Sequence, residues 1–258
     1  MRSVVRYNFA VLAMVLTLAG ETAATTWFPK EVTCPLCQTK NEFSVIGSYG
    51  SYIYRWPSKF QYIFWPLIDS HVLYSCKGCR LTCFMWDFEK IPADKHEAIR
   101  KQLDGVTLSQ PTGEYFRIPM TERLKAAEGV YSVLGRDDDF WCQFYRVVGY
   151  HSDEENKPKE AEEARKKALA LAEKMLAKKE NEGIRKEILL ISGAMRHFLK
   201  DDQAALKDFN EALKLKYESK DKPQEQSANI DQYLTQLLNE YVLEVQGSKK
   251  QENPGRAK

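Results

Sequence analysis

Two cysteine pairs carry the most specific chemistry in this sequence: Cys34-Pro-Leu-Cys37 and Cys76-Lys-Gly-Cys79. A CxxC turn brings two thiolates and several free backbone N–H groups to one side of a metal ion. Two such turns supply the four ligands that tetrahedral zinc takes at about 2.3 Å. Pro35 and Gly78 suit the tight turns such knuckles need. The spacing therefore predicts a structural Zn2+ site with Cys34, Cys37, Cys76 and Cys79 as ligands. The 38 residues between the pairs exceed the roughly 15–20 of a compact zinc ribbon, so an elaborated insertion is implied.

Other chemistries fit the same residues. In an oxidising compartment the four thiols could close as two disulfides. Cys34 and Cys37 could also be the redox pair of a thiol–disulfide oxidoreductase. That chemistry normally wants the first cysteine at a helix N-terminus, where its pKa is lowered; here polar Gln38-Thr39-Lys40-Asn41 follows the pair. A zinc-dependent enzyme would need an open water position, which four thiolates do not leave. Cys83 and Cys142 remain as a spare ligand, a bridge between two parts of the chain, or two buried free thiols.

The remaining candidate sites have simpler structural explanations. Tyr49, Tyr52, Tyr54, Trp56, Phe60, Tyr62, Phe64 and Trp65 crowd one stretch. They could stack on sugars or anchor a partner, but packing of the cysteine region onto the first helices explains them more simply. His71 lies near the second CxxC and is within conceivable reach of a metal; a surface or core role fits it better. His96, His151 and His197 form no HExxH motif. Asp137-Asp138-Asp139 reads as a helix cap rather than a cation site, and the Lys/Glu run from Lys157 to Lys179 as a solvated helix face. The sequence contains no Gly-rich phosphate loop, nucleophile elbow or glycosidase-like carboxylate pair.

The elements that must position these residues divide into four regions. Arg2 and Arg6, the apolar run Phe9–Ala19, and Thr22 and Ala24 at the −3 and −1 positions predict a signal peptide over 1–24. That run is too short to span a bilayer, so no stable membrane insertion is expected after cleavage, and the expected location is the periplasm or the cell exterior. Residues 25–91 form a β-rich cysteine-knuckle region with short strands around 43–46, 52–54 and 72–74. Over 92–246 apolar residues recur at three- and four-residue spacing, which predicts helices at about 93–104, 120–134, 182–199 and 202–216. Between them a helix capped by Asp137–Asp139 carries Phe140, Trp141, Phe144, Tyr145 and Val148, and a charged loop around Pro158 leads into another with Ala164, Ala168, Leu171, Ala172 and Met175. A last amphipathic helix shows Ile230, Tyr233, Leu234, Leu237, Leu238, Tyr241 and Val245. The polar stretch 247–258 reads as a disordered tail.

Leu189, Gly193, Ala205, Phe209 and Ala212 fall at the spacing of a TPR unit, in which small residues let two antiparallel helices approach while an aromatic fills the gap. Tyr145, Gly149, Ala164, Ala168 and Leu171 make an imperfect earlier copy with a longer turn. The fold class expected is mainly α, with a small β-rich zinc-ribbon-like domain ahead of TPR-like helical hairpins. Composition bounds the partners: of 258 residues 43% are hydrophobic and 29% charged, and the formal net charge is +2. Ordinary globular content with so little basic excess argues against nucleic acid.

The order CPLC, Trp65-Pro66, Val72-Leu73-Tyr74, CKGC and then TPR-like helices resembles a family of uncharacterised bacterial proteins carrying a domain of unknown function. Its members have paired CxxC knuckles and a helical C-terminal half, and the resemblance spans about residues 30–215. It implies the same four metal ligands and brings no catalytic residues. Gln38 and Arg80 depart from the glycine that often follows such a pair, and a signal peptide is unexpected among members associated with the cytoplasm. Together these readings predict an exported module that binds a protein or peptide through its helical face.

Overall fold

The computed structural model describes residues 26–49, 58–109 and 114–252. The signal segment, Tyr52, Tyr54, Trp56 and the 52–54 strand expectation lie outside these, as do the last residues of the expected tail. Two small antiparallel sheets carry the cysteines. Strand β1 (Thr26–Thr33) pairs with β2 (Lys40–Ser48), with Val32 opposite Asn41 and Thr33 opposite Lys40. Strand β3 (Leu73–Ser75) pairs with β4 (Thr82–Phe84), with Ser75 opposite Thr82 and Tyr74 opposite Cys83. Neither β1 nor β4 is evident from hydrophobic alternation: β1 is mostly exposed and contains Pro29, whereas all of β4 is buried.

Eight α-helices among the described residues supply the rest. They are α1 (Ser58–Gln61), α2 (His96–Leu103), α3 (Met120–Leu134), α4 (Asp138–Glu154), α5 (Pro158–Leu176), α6 (Arg185–Phe198), α7 (Asp202–Ala212) and α8 (Gln224–Glu252). Asp137 caps α4 by accepting the Phe140 N–H at 2.9 Å, so the start expected from the acidic triplet is the start observed. Pro158 occupies the first turn of α5, where its missing N–H costs nothing. The last helix runs on to Glu252, so residues 247–252 are helical rather than part of a disordered tail. None of these helices is long and apolar enough to cross a membrane.

The architecture is thus mainly α with a small β region. One hydrophobic cluster joins both hairpins to α2, α3 and α4 through Phe43, Leu73, Phe84, Ile99, Leu124, Tyr131 and Phe144. A second is built from α5 to α8 around Ala168, Leu190, Met195, Phe209, Leu237 and Tyr241. Tyr145 touches both clusters. Helices α4 and α5 form one antiparallel hairpin, and α6 and α7 another. In the second, a β-carbon on Gly193 would stand 2.4 Å from the Phe209 ring, so only glycine permits that approach.

The aromatic stretch is bound into this frame. The Phe60 ring meets Tyr241 of α8 edge-on at 5.3 Å, the Tyr62 hydroxyl donates to Glu187 of α6 at 3.0 Å, and Arg146 of α4 donates to the Tyr62 carbonyl at 2.7 Å. These rings fasten the segment between the sheets to the later helices, not to the first ones. Trp65 instead stands beside Tyr49 and Trp27, at 4.6 and 6.1 Å.

Candidate metal centre

Each CxxC occupies the turn of one hairpin. Cys34 directly follows β1 and Cys76 directly follows β3. The two turns repeat the same hydrogen bonds: Cys34 N–H donates to Thr39 O and Gln38 N–H to Cys34 O, while Cys76 N–H donates to Leu81 O and Arg80 N–H to Cys76 O, all at 2.9 Å. Gln38 and Arg80 both adopt positive φ, 61° and 65°. These are the positions where glycine is common, and the left-handed conformation is what glycine would supply there without a Cβ penalty.

The hairpins face each other so that the Sγ atoms of Cys34, Cys37, Cys76 and Cys79 all lie within 4.8 Å of one another. Across the hairpins Cys34 stands 3.6 Å from Cys79, and Cys37 3.6 Å from Cys76. Four sulfurs at about 2.3 Å from a tetrahedral ion sit about 3.8 Å apart, so small adjustments of this arrangement accommodate one metal ion. Among the described residues no other group of three or more His, Cys, Asp or Glu is close enough to hold a metal. The four sequence-predicted ligands are brought together as a set.

Burial divides them. Cys34 and Cys76 are inside, Cys37 is exposed and Cys79 is half-buried. Gly78 belongs to the contact between the turns: a β-carbon there would stand 2.4 Å from Thr39 Oγ1 and 3.2 Å from Cys37 Sγ. Hydrogen bonds from Cys34 and then Cys79 hold the Cys76 thiol far below the ordinary range, aided by the Gly78 N–H at 3.4 Å. Its hydrogen bond with Cys76 is the chief reason Cys34 is pushed up to about 12. Cys79 is raised also, first through Cys34 and then through Cys76. Sulfurs this close cannot all be thiolates unless a cation offsets their mutual repulsion. The four sulfurs thus lie close enough to hold a metal ion. Cys34 sits in a hairpin turn, not at the helix N-terminus that lowers the pKa of a thiol–disulfide nucleophile.

Several supporting groups escape a reading based on the CxxC pattern. Asn41, 3% exposed, spans the two turns. Its Nδ2 donates to Thr39 O at 2.9 Å and toward Cys76 Sγ at 3.6 Å, while its Oδ1 accepts the Lys77 N–H at 2.9 Å. Arg100 of α2 donates to Leu36 O at 2.6 Å, and Arg80 donates to Val106 O, so the helical region grips both turns. Farther in, Arg123 of α3 is fully buried and donates to the carbonyls of Ile118, Ser70, Leu73 and Phe116. Nothing in their local sequence distinguishes Asn41 or Arg123, because the partners that tie them across the fold (Cys76 and Lys77 for Asn41, Ser70 and Leu73 for Arg123) lie 35 to 53 residues away.

The other candidates are engaged elsewhere. His71 bonds Asp69 at 2.8 Å and stacks on Trp27 at 4.9 Å, outside the sulfur cluster. Cys83 and Cys142 are both free and buried, Cys83 in the cluster under the hairpins and Cys142 in the α5–α8 cluster with its thiol toward Ala168 O at 3.5 Å. They neither join the ligand set nor bridge to each other. Comparison of the chain with protein-family models, with curated proteins and with solved structures finds no match.

Proposed function

We propose that Cys34, Cys37, Cys76 and Cys79 hold a structural Zn2+ ion, and that the chain is an exported protein- or peptide-binding module with TPR-like hairpins. The observation that carries the metal reading is the closed donor set, four sulfurs within 4.8 Å of one another. An all-thiolate set suits zinc and leaves no open position for a reacting water, so the metal's role is to hold the fold. Bound zinc would cross-link two hairpins that have little stability of their own, since an isolated two-stranded sheet is marginal in water. Arg100 and Arg80 then pass that constraint to α2 and the turn that follows it.

The binding reading rests on a surface away from the cysteines. A shallow cavity of about 320 Å³ lies between α3 and the α4–α5 hairpin, lined by Thr121, Lys125, Glu128, Tyr145, Val148 and Lys167. Tyr145 donates to Glu128 at 2.8 Å with Lys167 over its ring at 4.6 Å. A fixed aromatic between charges of both signs is the kind of anchor that recurs in peptide recognition.

The first test is zinc content and thiol count on protein purified without chelator. One zinc per chain, with four thiols that react only after chelation and denaturation, supports the metal reading. Protein with no metal and two disulfides refutes it. For the binding role, peptides selected from a random library on the folded chain should lose binding in Tyr145→Ala. Failure to enrich any such peptide would remove that half of the proposal.

A further inference from the structure

We infer that Asn41 is the positioning residue of the metal centre, locking the two CxxC turns in register so that Cys76 is presented to the ion already oriented. The inference rests on the reading of the four cysteines as a metal site. Its observations are the near-complete burial of Asn41 and its three hydrogen bonds.

The orientation of the side-chain amide is set by its neighbours rather than chosen. The Lys77 N–H can only donate, so it must meet Oδ1 at 2.9 Å; Thr39 O can only accept, so it must meet Nδ2 at 2.9 Å. With both ends fixed, the second Nδ2 proton lies toward Cys76 Sγ at 3.6 Å. Asn41 therefore ties the backbone of the first turn, through Thr39, to the backbone of the second, through Lys77. At the same time it donates to a ligand sulfur. The Gly78 N–H donates to that sulfur as well, at 3.4 Å. Two N–H donors on one buried thiolate disperse its charge and fix its direction, which is what partners outside the ligand shell do for a metal site. No other residue side chain among the described hydrogen bonds reaches backbone groups of both turns.

Asn41→Asp isolates this role. The carboxylate keeps nearly the same shape and still accepts the Lys77 N–H, but it has no donor for Thr39 O or for Cys76 Sγ, and it sets a second negative charge beside the thiolate. The variant should bind zinc about 10–100-fold more weakly than the wild type in competition with a chromogenic chelator, the range expected for loss of an outer partner. Its cobalt(II) form should keep the sulfur-to-metal absorption of four thiolates, because no ligand is lost. Zinc affinity within threefold of wild type would overturn the inference. Wild-type protein that binds neither zinc nor cobalt would overturn the metal-site reading itself, and this inference with it. Should Asn41→Asp fail to fold, the wild type decides: in the zinc-loaded protein the Asn41 side-chain NH2 should be protected from hydrogen exchange, and exchange as fast as a free amide refutes the lock.

Discussion

Gly193→Ala is the substitution for which the structure makes the sharpest energetic statement. In an ordinary helix interior, replacing Gly by Ala gains about 1 kcal/mol of stability, because alanine restricts the unfolded chain and favours the helix. At Gly193 the new β-carbon would stand 2.4 Å from Phe209 Cε1 and 2.6 Å from Cδ1, where carbon atoms in good contact are separated by about 3.5–4.0 Å. Phe209 has no room to retreat: it is fully buried and stacked on Tyr241 of α8 with ring centroids 4.9 Å apart. Overpacking of a tight core costs typically about 1–3 kcal/mol, and a clash this deep belongs at the upper end. Set against the helix gain, the net loss should be roughly 1–2 kcal/mol, or a Tm lowered by roughly 2–8 °C in a chain of this size. Gly129 of α3 is the internal control, because a β-carbon there meets nothing nearer than Gln102 Cβ at 3.6 Å. Gly129→Ala should therefore stabilise by about 0.5–1 kcal/mol. Urea and thermal unfolding followed by far-UV circular dichroism read both variants. Combining Gly193→Ala with Phe209→Leu should recover part of the loss, since the two positions share one contact. A Gly193→Ala protein as stable as the wild type would refute the packing argument for the α6–α7 hairpin.

Three further outcomes follow from other sites. Arg123→Leu should cost several kcal/mol, because it leaves four backbone carbonyls that the guanidinium now satisfies without that donor, at about 1–3 kcal/mol for each one buried; thermal unfolding within 2 °C of wild type would contradict it. Burial holds the His151 imidazole down to about 4 while its Nε2 bonds Leu67 O at 3.0 Å. The unfolded chain, with an ordinary value of about 6.5, takes up the proton first, so stability falls as pH drops from about 6.5 toward 4, by on the order of 3 kcal/mol. The difference between wild type and His151→Gln in urea midpoints should change over that window, and a constant difference would exclude His151 as the cause. Gly78→Ala should weaken zinc binding tenfold or more by forcing its methyl against Thr39 Oγ1, with partial recovery when Thr39→Ala is combined with it; equal chelator competition by the wild type, the single and the double variant would show that the turns need no such close contact.

The helices were legible from their own residues. Apolar spacing of three and four marks α3 to α8, Asp137 marks the start of α4, and the Gly193–Phe209 spacing marks two helices in close approach. The four cysteines were legible for a related reason: a CxxC turn is a local object, and its chemistry is written within four residues. The strands were less so. Strand β1 is exposed and carries a proline, while β4 is three buried residues with no alternation, and each exists because its partner strand lies alongside. The aromatic segment illustrates the same limit, since burial was foreseeable but its fastening to α6 and α8, through Tyr62 and Phe60, was not.

What the amino-acid sequence determined by itself was therefore the helical periodicity, the caps and the identity of the four clustered thiols, because each depends on neighbours a few residues away. Only the tertiary structure decided that Asn41 joins the two turns, that Arg123 binds carbonyls from two stretches of chain, that His71 turns to Asp69 and Trp27, and that Cys83 and Cys142 lie in different cores. Those outcomes depend on which distant groups compete to satisfy a buried polar atom or fill a gap. That competition is settled by the packing of the whole chain, and no local stretch encodes it.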